Sequence, residues 1–159
     1  VGCLTMSYGS YAESRLVDAG LLIKLPDTLD DRTAAATLLR GLTAQMLAHH
    51  AHKIAPGLTV LVHAASGGVG RLLCQWAHHL GATVIGTVGG EEKARSAREN
   101  GCDHVILYNE EDFVARVKQI SRNELCDVVY DGVGKTTFPG SLSCLRPRGL
   151  FGQEGVSEE

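Results

Sequence analysis

The segment Ala64-Ala65-Ser66-Gly67-Gly68-Val69-Gly70 is the stretch of this chain best suited to chemistry. It follows a short apolar run, LTVLVHA, and leads into GRLLCQWAHHLG. Set against the glycine pattern of dinucleotide-binding turns, Ala65 takes the first position, Gly67 the second and Gly70 the third. Gly67 would let backbone approach a pyrophosphate, and Gly70 would let the helix pack on the strand. The helix N-terminus supplies free N–H groups and the positive end of its dipole. A lone glycine pattern is weak. Here a buried strand precedes it and an amphipathic helix follows it, which favours a phosphate-binding turn over a purely structural one.

The next strand bears on the kind of dinucleotide. A site for NAD usually places Asp or Glu at this strand's tip, to hold the ribose 2′-hydroxyl. The tip here is Gly86-Thr87-Val88-Gly89-Gly90, without an acid, followed by Glu91, Glu92 and Lys93. A small uncharged tip leaves room for a 2′-phosphate, and Lys93 can meet it as a point charge. The expectation is NADPH rather than NADH, with Glu91 and Glu92 counting against it. Lys93 taken alone is also what an ordinary exposed helix lysine looks like.

The elements that must position these residues alternate. LTVLVHA, ATVIGTV, DHVILY and CDVVYDGVG are short apolar runs of the kind buried on both faces of a parallel sheet, and RGLFG begins a fifth. Between them lie helical segments. Val69, Leu72, Leu73, Trp76, Ala77 and Leu80 form one stripe at a period near 3.6, and Gly81 stops it. Residues 91–100 form a charged helix, EEDFVARVKQIS another with acids in its first turn, and FPGSLSCL a third. Strand–helix alternation at this spacing predicts an α/β fold, a doubly wound parallel sheet of the Rossmann kind. Ahead of it, TAAATLLRGLTAQMLAHHAH carries Ala35, Leu38, Leu39, Leu42 and Met46 at helical spacing, after cap candidates in DTLDD and before a Pro56-Gly57 turn. The first residues, from Tyr8 through AESRLVDAGLLIKLP to Pro26, read as strand and loop material of a preceding unit. The expected division is 1–26 and 27–159.

Composition narrows the classes. The chain has 159 residues, 44% hydrophobic and 21% charged, with 15 basic and 18 acidic residues for a net charge of −3. That excludes a generally basic nucleic-acid scaffold and makes nucleic acid an unexpected partner. No apolar run approaches the roughly 20 residues of a membrane helix. Cys3, Cys74, Cys102, Cys126 and Cys144 are never closer than 18 residues, so no Cys-x-x-Cys motif exists. An odd count without a visible signal peptide suggests reduced thiols, most of them small buried hydrophobes, and a cytoplasmic setting. His49, His50 and His52, and the pair His78-His79, invite a metal. Adjacent helix residues point apart, so solvated faces or helix-end charges are expected, and no metal site. No Ser-His-Asp arrangement can be argued. Asp131 reads as a turn former, Tyr130 as packing, and Arg146 and Arg148 as surface.

HAASGGVGRLLCQWAHHLGATVIGTVGGEEKA, with VILYNEEDF, DVVYDGVG and the preceding RGLTAQ, resembles the quinone oxidoreductases, the zinc-free, zeta-crystallin-like branch of the medium-chain dehydrogenases/reductases. The resemblance covers nearly the whole chain. It implies NADPH-dependent reduction of a small quinone, delivered by positioning rather than acid–base chemistry, in a full-length protein that is a homodimer. An enoyl or alkenal reductase is the alternative within the superfamily. A non-catalytic nucleotide-binding, RNA-binding or structural module is the alternative outside it. The resemblance implies Gly68 and Val69 at the pyrophosphate. Gly89, Lys93 and Tyr108 would surround the adenosine phosphate. Thr43, Gly132 and Val133 would lie nearer the nicotinamide. No catalytic side chain is named. Residues 1–26 would be the tail of a GroES-like catalytic domain whose main part is absent. The polar ending GQEGVSEE suggests a short or disturbed fifth strand, a Rossmann domain incomplete at its C-terminal end, and a chain that alone is inactive.

Overall fold

A computed structural model describes residues 1–3 and 9–154. The apolar runs become five parallel strands: β3 (Thr59–Val62), β4 (Thr83–Val88), β5 (His104–Leu107), β6 (Cys126–Asp131) and β7 (Leu145–Gln153). They lie in the order β5-β4-β3-β6-β7. The connection reverses direction across β3 and β6, and in open α/β sheets ligands bind outside the strand ends at that point. Two-residue strands, β1 (Gly2–Cys3) and β2 (Leu22–Ile23), pair antiparallel apart from the sheet. Tyr8 and the polar residues 155–159 lie outside the described residues.

Five α-helices connect or cover the strands: α1 (Asp31–Met46), α2 (Gly68–His79), α3 (Glu91–Glu99), α4 (Phe113–Ile120) and α5 (Phe138–Ser143). Asp30 caps α1 by accepting from Thr33 N–H at 2.9 Å, and Asp112 caps α4 from Val114 N–H at 2.9 Å. Side chains alternate across each strand, so the sheet has two cores. Val60, Val62, Val84 and Val128 join Leu73 and Ala77 of α2 on one face. Leu61, Ile85, Ile106 and Val129 join Val117 of α4 and Cys144 on the other.

Three readings are refined or corrected. The leucine stripe of α1 is not its buried side. Ala34 and Ala44 are buried, whereas Leu39 is 63% exposed and Leu42 and Met46 are also exposed. The small-residue side lets α1 lie close on α2 and turns the larger side chains outward. The fifth strand is not short: β7 spans nine residues. Its pairing shifts register between Cys126↔Leu145 and Val128↔Leu150, so Arg146-Pro147-Arg148-Gly149 bulges and pairing resumes through Gln153. Arg148 takes a left-handed φ of 67°, and Arg146 reaches buried Asp127 at 2.5 Å, tying the bulge down. Arg146 is therefore more than a surface charge.

Candidate dinucleotide site

After β3 the chain turns through His63, Ala64 and Ala65 into α2, with Gly67 as cap. Ala64 holds a left-handed φ of 50°, unusual for a residue with a Cβ. Gly67 N–H closes the turn on the Ala64 carbonyl at 2.7 Å. A Cβ on Gly70 would stand 2.5 Å from that carbonyl oxygen, so α2 meets the strand only because the residue is glycine. A Cβ on Gly67 would stand 3.0 Å from the same oxygen. Ala65, in place of the first glycine, is fully buried. It fits because β4 offers Gly86, where a Cβ would lie 2.7 Å from that of Ala65. The sequence places Gly86 at the strand tip without revealing this packing role; a glycine amid β-branched strand residues was the available signal.

The adenosine side gathers at the ends of β4 and β5. Gly89 faces Tyr108, whose hydroxyl lies 2.8 Å from where a Cβ on Gly89 would be, and Tyr108 is 48% exposed. Asn109, also unforeseen, donates its amide to the Gly89 carbonyl at 2.9 Å and fixes the tip. Lys93 is exposed in the first turn of α3. Glu91 faces Arg98 along the helix at 3.8 Å. The strand tip itself carries no acid.

The β6 side differs. A cavity of about 160 Å³ at the switch point is lined by His63, the glycines of the turn, Val69, Gly132 and Glu154. Gly67, Gly68, Val69, Gly70 and Gly132 are thus brought together. Val133 is beside them in the turn after β6, its N–H donating to Asp131 at 2.9 Å. Thr43 is not brought in: it lines neither this cavity nor the one on the α1 side of the turn, and its hydroxyl donates back to the Leu39 carbonyl at 2.9 Å.

Asp131 does form the turn. It is fully buried and accepts from Val133 and Gly134 N–H and from the hydroxyls of Thr137 and Ser141, at 2.7 to 3.0 Å. Burial works to raise its carboxyl, but the bonds from Gly134, Thr137 and Val133, with His63 nearby, outweigh it and hold the group below the usual carboxylate range. Ser141 lies 3.0 Å from His63 Nε2, and His63 Nδ1 lies 2.9 Å from the Thr87 hydroxyl. Sequence reasoning found no Ser-His-Asp set, and here one is assembled from residues 78 and 10 apart. Its order rules out a nucleophilic triad. Ionised Asp131 only accepts, so Ser141 donates to it. His63 Nε2–H then donates to Ser141, and Nδ1 accepts from Thr87; this tautomer is assigned from the network. Burial lowers the His63 pKa and Asp131 partly opposes it, which keeps the imidazole neutral. Tyr130, read as packing, is buried and also donates its hydroxyl to the Leu47 carbonyl at 2.7 Å.

Glu154 follows β7 and points a carboxyl oxygen into buried space without a hydrogen-bond partner among the described residues. Burial, then the charge of Asp131, pushes its carboxyl up to about 7. The histidines singled out from sequence disperse: His49 meets Trp76 edge-on at 5.3 Å, and His78 faces Asp103 at 3.4 Å. Among the described residues no three His, Cys, Asp or Glu side chains stand together as metal ligands. All five cysteines are free, and four are buried.

A glycine turn at the switch point of a parallel sheet, beside a strand tip that carries no acid, defines a Rossmann-type dinucleotide domain. The family described as zinc-binding dehydrogenase matches residues 68–159. A 2-haloacrylate reductase from Burkholderia sp is 51% identical over 149 residues, covering 92% of this chain and 45% of the relative. A quinone oxidoreductase from Pseudomonas aeruginosa is 45% identical over 151 residues, covering 95% and 46%. The crystal structure of Escherichia coli quinone oxidoreductase complexed with NADPH superposes with a TM-score of 0.79 at 45% identity, covering 85% of this chain and 43% of that one. The chain belongs to this dehydrogenase family, in its quinone oxidoreductase branch. It spans about half the length of the curated relatives it matches.

Proposed function

We propose that this chain is the cofactor-holding part of an NADPH-dependent quinone oxidoreductase. The observation that carries the reading is the acid-free tip of β4, where Gly89 lets the Tyr108 hydroxyl come up against the backbone, at the same end of the sheet as the glycine turn. The residues fit the dinucleotide. The backbone of Gly67, Gly68 and Val69 would receive the pyrophosphate, and Gly70 keeps the helix end against the strand. Gly89, Tyr108 and Lys93 would receive the 2′-phosphate, and Gly132 and Val133 would border the nicotinamide half. Thr43 would act there only after its hydroxyl leaves Leu39. When bound, the nicotinamide supplies a hydride or its electrons. This chain's residues bind and orient it, and none is assigned a proton transfer.

Residues 1–26 are proposed as the tail of a GroES-like catalytic domain and 27–159 as the Rossmann domain, in a cytoplasmic, homodimeric whole protein. No helix among the described residues is long and apolar enough to cross a membrane. Reduction of an activated alkene is the second reading, favoured by the 51% identity to a 2-haloacrylate reductase.

Titrating the chain with NADPH by its fluorescence should saturate at one per chain, and Gly67→Val should abolish this while leaving the chain folded by circular dichroism. Equal binding by folded Gly67→Val would remove the turn from the site. With a simple benzoquinone the chain alone should oxidise NADPH more slowly than about 1 per second. Faster turnover would place the acceptor site within these residues.

A further inference from the structure

The first turn of α2 holds Gly68, Val69, Gly70 and Arg71, and no acid. The N-terminus of a helix is the positive end of its dipole, where acids stabilise and cations do not. This helix carries cations there twice. Arg71 belongs to the turn itself. Arg40 comes across from α1, and its side chain fills the place of the missing Cβ on Gly68, with Nε 2.6 Å and Cζ 2.9 Å from that point. The Arg40 guanidinium thus lies directly over Gly68.

Both arginines line one cavity of about 310 Å³, together with Gly67 and the polar residues Thr37 and Ser66. Arg98, Arg116 and Arg146 each face a carboxylate. Among the described residues the side chains of Arg40 and Arg71 have neither an ion pair nor a hydrogen-bond partner, as is also true of Arg32, Arg95, Arg122 and Arg148; what sets Arg40 and Arg71 apart is the cavity they share at the glycine turn. Two guanidiniums and a helix N-terminus around one opening repel each other until an anion enters. Such a breach of a local rule, with nothing in the fold to offset it, marks a functional position.

We propose that Arg40 and Arg71 form a two-guanidinium site for a diphosphate on the α1 side of the glycine turn. Each guanidinium presents a planar fork that matches one phosphate. The proposal deepens the dinucleotide reading and rests on it: the pair would grip the pyrophosphate common to NADPH and NADH, leaving Lys93 and Tyr108 to distinguish them.

The test is calorimetric titration of the 159-residue chain with inorganic pyrophosphate, NADPH and NADH. The variants are Arg40→Ala/Arg71→Ala and Arg40→Lys/Arg71→Lys. The alanine pair should weaken all three ligands by at least about tenfold each, and by a similar factor for the two dinucleotides. The melting temperature without ligand should hold or rise, since both side chains are exposed and their repulsion from each other and from the helix N-terminus is relieved. The lysine pair should restore part of the loss, because point charges keep the attraction and lose the fork. It also carries the test if the alanine pair unfolds, through a weaker but measurable loss. Pyrophosphate binding unchanged in either pair, or absent in the parent, overturns the proposal. If NADPH binds the parent and the alanine pair equally, the dinucleotide reading stands and the two-arginine site falls. If pyrophosphate binds through the arginines and NADPH does not bind, the site stands and the dinucleotide reading falls.

Discussion

On the β4–β5 side of the central strand, the residues proposed to meet the cofactor are exposed and lightly held. Lys93 stands in solvent, Tyr108 is half exposed, and a single amide from Asn109 steadies the strand tip. On the β6–β7 side the polar groups are buried and interlocked. Asp131 gathers four donors, His63 and Ser141 join it to Thr87 on β4, and Glu154 sits without a partner. The difference separates two uses of polar residues in one sheet. Groups kept for a ligand remain solvated and cost the fold little. Groups locked into the buried network are paid for in desolvation, so they must satisfy one another. Substitutions on the first side should therefore change binding, and substitutions on the second should change stability.

The largest effect belongs to Asp131→Ala. Val133 and Gly134 N–H lose this acceptor, while the Thr137 and Ser141 hydroxyls can turn to the Gly134 and Thr137 carbonyls. The expected cost is about 2–5 kcal/mol of unfolding free energy in urea. A loss below about 1 kcal/mol would contradict the interlocked picture. Gly70→Ala comes next. Its Cβ would press on backbone, which cannot move aside as a side chain can, and overpacking of this kind costs about 1–3 kcal/mol. An unchanged melting temperature would show that α2 can slide off the strand freely.

Lys93→Glu should leave the melting temperature alone and weaken NADPH by about tenfold, or about 1.4 kcal/mol. NADH should hardly respond, since it has no 2′-phosphate. Equal losses for both dinucleotides would mean a damaged fold, and no loss would mean a lysine facing only solvent. The last effect is a pH dependence. Glu154 has its folded pKa raised to about 7 from a model-peptide value of 4.5, so its favourable contribution is complete below about pH 4.5 and is lost as pH rises through 7. Glu154→Gln should melt above the parent at pH 8 and alongside it at pH 4.5. His63 works in the opposite direction. Its folded pKa is lowered, so the unfolded chain takes the proton first and stability falls as pH drops below about 6.5. A Glu154→Gln variant that melts with the parent at both pH values would show that its carboxyl is solvated.

The first side of the sheet was largely legible in the sequence, because its signals are local. The turn, its flanking strand and helix, and the acid-free tip lie between Leu58 and Lys93, within the reach of period and spacing. Tyr108 came through family resemblance, and its approach to Gly89 is a contact 19 residues long. The second side was not legible. His63 and Ser141 meet across 78 residues, and no periodicity announces that encounter. The β7 bulge escaped because the polar Arg-Pro-Arg run reads as a loop ahead of a strand that begins at RGLFG, when pairing already starts at Leu145, the chain loops out and pairing resumes at Leu150. The outward leucines of α1 escaped for a related reason: helical spacing identifies a stripe but not the neighbour that covers it, and Ala44 is the α1 residue buried in the core with α2.

The central claim is that an open glycine turn and an acid-free strand tip together select a phosphorylated dinucleotide. Calorimetric titration of the chain with NADPH and NADH side by side, at low and high salt, tests it most directly. The account predicts one site per chain, NADPH tighter than NADH by at least about tenfold at low salt, and a preference that narrows as salt screens the 2′-phosphate. Equal affinity for the two, or tighter NADH, would contradict it.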